Sequence, residues 1–275
     1  MFEWHKYLCE YYNVTPERAL ELGTRSNGRK PDLPGSSTCN AVSEKTFEDI
    51  WQQAPRKTIT EIFNFYKDQG SWSAFRQSVR HKDLESLHLS IFNAAINLGI
   101  LKEKSHVCEY GCGVAPFITT FLKYCPSDMQ MSFTIADVEC EHFNFAQYKL
   151  NKIKSDRSLK NIDLNFIIIN PSELPKFYKP VDVLLCFEVM EHVPSPMDVI
   201  VNIDNQMIKN SLYIENFIKS EINETDDGPD LKTAQAERPS YYQFLERNFQ
   251  LIHPEKQESD LNPNVTRIWK KWSDR

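Results

Sequence analysis

Four short stretches hold residue types whose spacing can support chemistry. Residues 107–115 read Val-Cys-Glu-Tyr-Gly-Cys-Gly-Val-Ala. An apolar run delivers Glu109 into a turn built on Gly111, Cys112 and Gly113, and a helix is expected to follow. Glycines let backbone approach a ligand closely, and a helix N-terminus offers N–H groups to a carboxylate or phosphate. A dinucleotide loop would need a third glycine at position 116, which is Pro116, and Glu109 would repel a pyrophosphate, so the pattern argues against NAD. Asp137 closes the next apolar run, where a carboxylate can accept both hydroxyls of a ribose. Asn170, followed by Pro171, ends the third, and its amide can both donate and accept toward an adenine edge. Residues 182–193 end in Phe187-Glu188-Val189-Met190-Glu191-His192-Val193. An unperturbed imidazole titrates near roughly 6.5, so His192, with Glu191 beside it, is the candidate to take a proton from a hydroxyl near neutral pH.

These residues need elements to position them, and from residue 105 onward the texture is alternating strand and helix. Strands are expected over 106–109, 131–136, 164–169, 181–187 and 212–216, and helices over 116–124, 143–153 and 197–208. The runs at 164–169 and 181–187 are apolar and rich in β-branched residues, as in parallel strands buried on both faces. Pro239 would open a helix over 239–247, and 249–252 would pair with 265–269 as a hairpin. Residues 219–238 carry Glu221, Glu224, Asp226, Asp227 and Asp230 and read as a polar acidic loop. Strands alternating with helices make an open α/β sheet, which binds its ligand beyond the carboxyl ends of the strands.

Residues 1–104 read as helices around a loop. Thr15, Pro16 and Glu17 form a helix start that Gly23 should end, and residues 24–43, rich in Pro, Gly and Ser, form the loop. Ile59, Ile62, Phe63 and Tyr66 fall at helical spacing, as do Leu84, Leu87, His88 and Ile91, with Ala95 and Leu98 continuing the stripe. Residues 70–81 are expected to cover the site. Trp72 lies there, and Arg76 and Arg80, four apart, could clamp a carboxylate or phosphate of substrate or cofactor.

The composition bounds the rest. The chain has 275 residues, 41% hydrophobic and 25% charged, so a globular core is expected. The net charge of −6 is uneven: residues 1–104 hold 14 basic and 13 acidic residues, leaving 18 and 25 for the remainder. Neither part has the basic footprint of a general nucleic-acid binder. Seven scattered cysteines without a CxxC pair suggest neither a zinc ribbon nor a disulfide framework, and fit reduced thiols in a cytoplasm. No apolar run reaches membrane-span length, and the start lacks the look of a secretory signal.

Taken together, Glu109–Gly113, Asp137, Asn170 and Glu188–His192 resemble the motifs of class I S-adenosylmethionine-dependent methyltransferases, over about residues 105–255. The segment from Glu188 to His192 is similar to one in the ubiquinone-biosynthesis O-methyltransferase branch. The resemblance implies a Rossmann-like α/β core with a seven-stranded, mostly parallel sheet at 105–275, behind an N-terminal helical cap at 1–104. It implies S-adenosylmethionine held by Glu109, Gly111, Cys112, Gly113, Asp137, Val138, Asn170, Pro171, Phe187 and Glu188, and methyl transfer to a hydroxyl of a small molecule. It also raises Mg²⁺ or Mn²⁺ on Glu188, Glu191 and His192. Ala115 replaces a frequent third glycine, and Ile208-Lys209-Asn210-Ser211 replaces a common lysine-proline-glycine-glycine turn. The alternatives are an N- or C-methyltransferase of the same fold, a small-RNA 2′-O-methyltransferase, and a non-catalytic cofactor-binding partner subunit.

Overall fold

A computed structural model describes residues 4–24, 54–55, 58–219, 230–254 and 265–273. Nearly all of the loop expected at 24–43, and residues 220–229 of the acidic stretch, lie outside them. The helices preceding the sheet are α1 (Lys6–Tyr12), α2 (Pro16–Thr24), α3 (Ile59–Asp68), α4 (Ser71–His81) and α5 (Glu85–Asn97). Then follow β1 (His106–Tyr110), α6 (Pro116–Tyr124), β2 (Met131–Asp137), α7 (Glu141–Asp156), β3 (Ile162–Ile168) and β4 (Val181–Phe187). The chain continues through a single 3₁₀ turn (Met190–His192), α8 (Pro196–Gln206), β5 (Met207–Asn216), α9 (Lys232–Asn248), β6 (Phe249–His253) and β7 (Arg267–Lys271).

The seven strands form one sheet in the order β3-β2-β1-β4-β5-β7-β6. Pairings through β5 are parallel, and β7 runs antiparallel to both β5 and β6. This is the Rossmann-like arrangement of class I methyltransferase folds. β1 and β2 are buried along their whole length, as expected of central parallel strands covered on both faces. β3 departs from that expectation: it is an edge strand, mostly half-buried, with Ile168 exposed.

The helices before the sheet share its core. Tyr7, Leu8, Phe75, Ile91 and Phe92 pack in one cluster with Val107, Ile118 and Phe133. Thr58 caps α3: its hydroxyl accepts the Glu61 N–H at 3.2 Å while the Glu61 carboxylate accepts the Thr58 N–H at 3.1 Å. Several boundaries differ from the sequence reading. Gly23 lies inside α2, and a Cβ there would collide with Val79 and the Phe75 carbonyl of α4, so close helix approach explains the glycine. Pro239 sits within α9, which begins seven residues earlier. Met207 already belongs to β5, and Leu87 and Leu98 are exposed. No described helix is long and apolar enough to cross a membrane, and the six described cysteines are free.

Candidate functional site

A cavity of about 900 Å³ opens at the carboxyl edge of the sheet, roofed by α3 and α4. Its volume lies at the upper end of the range for small-molecule sites. One lobe lies over the ends of β1, β2 and β3. Here Gly111 and Gly113 both take positive φ, 64° and 54°, and a Cβ on either would strike a neighbour, Val189 or the Gln77 side chain. The acid that leads into this turn acts as a helix cap. Glu109 is buried, and its two carboxylate oxygens accept the N–H groups of Phe117 (3.3 Å) and Ile118 (3.0 Å) at the start of α6. Burial pushes its pKa up to about 8 against those bonds. Beneath the turn, buried Lys149 donates to the Val114 carbonyl at 2.6 Å, and burial lowers its pKa to about 7.

The expected free N–H groups of the turn are already occupied. Gly111 and Cys112 donate to the Ala136 carbonyl, Gly113 to Asp137, and Val114 to Gln77 Oε1 at 3.0 Å. Cys112 is buried and its thiol pKa is pushed far up by that burial. Asp137 is 8% exposed and accepts Gly113 N–H (2.6 Å) on one oxygen and Val138 N–H (2.7 Å) on the other. A carboxylate has about four lone-pair sites, so two such sites on Asp137 remain for further donors. Asn170 is exposed and folds its Oδ1 back onto Ser172 N–H and hydroxyl (3.0 and 2.8 Å), which leaves its NH₂ as the group it can offer. Phe187 stacks on Phe117 at 4.3 Å, and Val138 and Pro171 complete the wall.

Asp137, Cys140 and His142 also gather in this lobe. Ser73 hydroxyl donates to the Gly70 carbonyl, so the His142 Nδ1 that meets Ser73 Oγ at 3.0 Å supplies the proton of that contact. Cys140 Sγ sits 2.9 Å from the other ring nitrogen. Through the Ser73–His142 contact this cluster ties α4 to α7.

The second lobe holds Glu188, Glu191 and His192. The structure does not bring these three together. Glu188 adopts φ 54° at the end of β4, with its N–H donating to Asn216 Oδ1 at 2.7 Å. That backbone turns its carboxylate to Arg80, 2.5 Å away. Asp230 takes the place expected of Glu188: Glu191, His192 and Asp230 each offer a ligand atom within 4.8 Å of the others. His192 Nδ1 lies 3.9 Å from Asp230 Oδ1, and its ring stands edge-on to Tyr66 at 6.4 Å. Glu191 is 2% exposed, and its Oε2 has no hydrogen-bond partner among the described residues. Burial raises the Glu191 carboxyl far above its usual range, and raises Asp230 to about 6.

The roof carries the two arginines of the sequence reading. Arg76 and Arg80 do line the cavity, but Arg80 is engaged by Glu188, and Arg76 lies over the buried ring of Trp72 at 5.4 Å. Sequence reasoning passed over Tyr66, Gln77, His81, Asp230 and Asn216. Gln77 shares a helix with the two arginines it was read past, whereas Asp230 was hidden in an acidic run.

No family of known sequences matches the chain, and no curated protein does. Among solved structures, it resembles a Listeria monocytogenes protein assigned as a class I S-adenosylmethionine-dependent methyltransferase. The identity is 12% and the TM-score 0.46, over 78% of this chain and 69% of that one. It also resembles the magnesium protoporphyrin IX methyltransferase of Synechocystis, solved with bound S-adenosylhomocysteine, at 14% identity and TM-score 0.44, over 68% and 81%. A third likeness, at 13% and 0.44 over 68% and 64%, is the [4+2]-cyclase SpnF. These are likenesses of architecture, and one architecture hosts many reactions.

Proposed function

We propose that the chain binds S-adenosylmethionine in the first lobe and transfers its methyl group to a small molecule in the second. The observation that carries this is the meeting, in one cavity, of the glycine turn, Asp137 and Asn170 at successive strand ends, with Glu191 and His192 facing them. The lobe fits such a cofactor: the turn presents no side chain, Asp137 keeps acceptor capacity for ribose hydroxyls, and Phe187, Val138 and Pro171 give apolar walls. When bound, the cofactor supplies a methyl group already activated by its sulfonium. This chain's residues then orient the acceptor and take its proton. His192, with Nδ1 toward Asp230, is the proton acceptor of this reading. Glu109 acts one step removed, by fixing the turn to α6.

The acceptor of this reading is a small molecule, and the acidic second lobe speaks against RNA. The case for a hydroxyl rested on the likeness of Glu188–His192 to an O-methyltransferase branch, and that for Mg²⁺ or Mn²⁺ on Glu188, Glu191 and His192 as one set. Arg80 removes Glu188 from that set, and no step here passes through a metal. The test is thermal unfolding with S-adenosylhomocysteine, with NADH as control. S-adenosylhomocysteine at roughly 100 times its Kd should stabilise by about 2.7 kcal/mol. Asp137→Ala should abolish the effect. A shift that survives Asp137→Ala, or one produced equally by NADH, contradicts the proposal.

A further inference from the structure

The connection from the end of β2 into α7 carries Asp137, Cys140 and His142, and each offers a ligand atom within 4.8 Å of the others. All three are buried. Their converging lone pairs outnumber the protons between them. The His142 Nδ1 proton goes to Ser73 Oγ, and burial lowers the pKa of the ring, which leaves it neutral with a bare Nε2. The Cys140 thiol has one proton for two acceptors, Nε2 at 2.9 Å and the Val138 carbonyl at 3.1 Å. Asp137 Oδ2 faces the same Nε2 at 3.8 Å, one acceptor against another.

We propose that these side chains bind one Zn²⁺, through Asp137 Oδ2, Cys140 Sγ and His142 Nε2, and that the ion competes with the ribose of the cofactor for Asp137. A neutral imidazole, a thiolate and a carboxylate form the donor set of a borderline-soft cation, whereas Mg²⁺ takes oxygen ligands. Tetrahedral Zn²⁺, with bonds of about 2.0–2.3 Å, holds its ligand atoms about 3.3–3.6 Å apart. The 2.9 and 3.8 Å spacings lie on either side of that value. The outer contacts are in place. The Nδ1–H bond to Ser73 fixes the tautomer that aims Nε2 at the ion, and the Gly113 and Val138 N–H groups orient the carboxylate. Charge balances as well. Burial keeps the free thiol protonated, and a coordinating thiol gives its proton up, here to solvent. One thiolate and one carboxylate then cancel the two positive charges, as a buried ion requires. Asp137 and His142 line the cavity, which gives the ion its way in and room for a water in its fourth position.

The metal site stands apart from the methyltransferase reading, and the competition rests on it. Two backbone donors leave Asp137 two acceptor sites for ribose hydroxyls, and Zn²⁺ on Oδ2 takes one of them. By linkage, ion and cofactor weaken each other's binding by the same factor.

The test uses the untagged full chain, stripped with EDTA and dialysed free of it. Co²⁺ takes the same tetrahedral geometry and absorbs visible light, so it is the probe. CoCl₂ should give a thiolate-to-cobalt charge-transfer band in the near ultraviolet and intense d–d bands in the visible. ZnCl₂ should bleach both, and MgCl₂ should leave them. Cys140→Ser should lose the charge-transfer band while keeping the thermal shift with S-adenosylhomocysteine, which also checks its folding. Competition is read by calorimetry on the unaltered chain, so it needs no variant. S-adenosylhomocysteine should weaken Zn²⁺ binding by about tenfold or more, and Zn²⁺ should weaken S-adenosylhomocysteine binding by the same factor. A Co²⁺ spectrum without the thiolate band, a band that survives in Cys140→Ser, or bleaching by MgCl₂ overturns the site. Equal S-adenosylhomocysteine affinity with and without Zn²⁺ overturns the competition. A chain that shows the Co²⁺ bands but does not bind S-adenosylhomocysteine overturns the parent reading and supports the metal site, which keeps the two failures apart.

Discussion

Glu109 shows how one carboxylate can serve a site it need not touch. It spends both oxygens on α6, and burial holds its pKa near 8, well above the 4.3 or so of an unfolded glutamate. The folded state therefore binds this proton more tightly than the unfolded state does. Its linked stability is fully present below about pH 4.3 and is lost as pH rises through about 8. Glu109→Gln should flatten this part of the pH dependence of Tm, measured from pH 5 to pH 8. An unchanged slope would contradict the assignment. Asp137 makes a parallel case with two backbone donors. Beyond losing ligand, Asp137→Ala should lower stability by about 1–3 kcal/mol, because Gly113 and Val138 N–H groups lose their acceptor, read by chemical denaturation.

The element most exposed to a test is the glycine turn under α4. Gly113 combines a positive φ with Gln77 lying directly over it. Gly113→Ala should destabilise by about 1–3 kcal/mol and weaken S-adenosylhomocysteine binding in calorimetry. Thr58→Ala, which removes the capping box of α3, should cost about 1 kcal/mol. The strand–turn–helix unit from β1 to α6 was legible because its signals are local: an apolar run, two glycines, then helical periodicity. Asp137 and Asn170 were legible as strand ends for the same reason. Asp230 was not, because a carboxylate in an acidic run looks like solvated surface until tertiary packing brings it to Glu191. Glu188 was set beside Glu191 and His192 by the family resemblance alone, and no local signal announced the left-handed backbone or the Arg80 partner it has in the fold. The start of α9 was missed because Pro239 reads as a helix opener, yet the helix runs through it.

At the scale of the molecule, the segment before the sheet and the sheet itself meet across the cavity. Arg80 of α4 reaches Glu188 beyond β4, and both side chains are well exposed, at 55% and 37%. Exposed pairs contribute little to stability. A double-mutant cycle with Arg80→Ala and Glu188→Ala should therefore give a coupling below about 1 kcal/mol in unfolding, with any larger effect appearing in S-adenosylhomocysteine affinity. A large coupling in unfolding would make the pair a structural strut instead.

The strand order has a consequence for how the protein is made. β7 lies between β5 and β6 and supplies Trp269, which donates to buried Glu215 at 3.0 Å. Arg267, also on β7, holds the Glu215 carboxyl down against the burial that raises it. Every residue of the proposed cofactor lobe is synthesised before this strand. A ribosome-bound nascent chain halted after β6 can have the binding loops without a closed sheet, leaving Glu215 without these two partners. Folding is thus tied to the delivery of residue 271, and a chain stalled earlier offers the edge of β5 to whatever strand or chaperone is near.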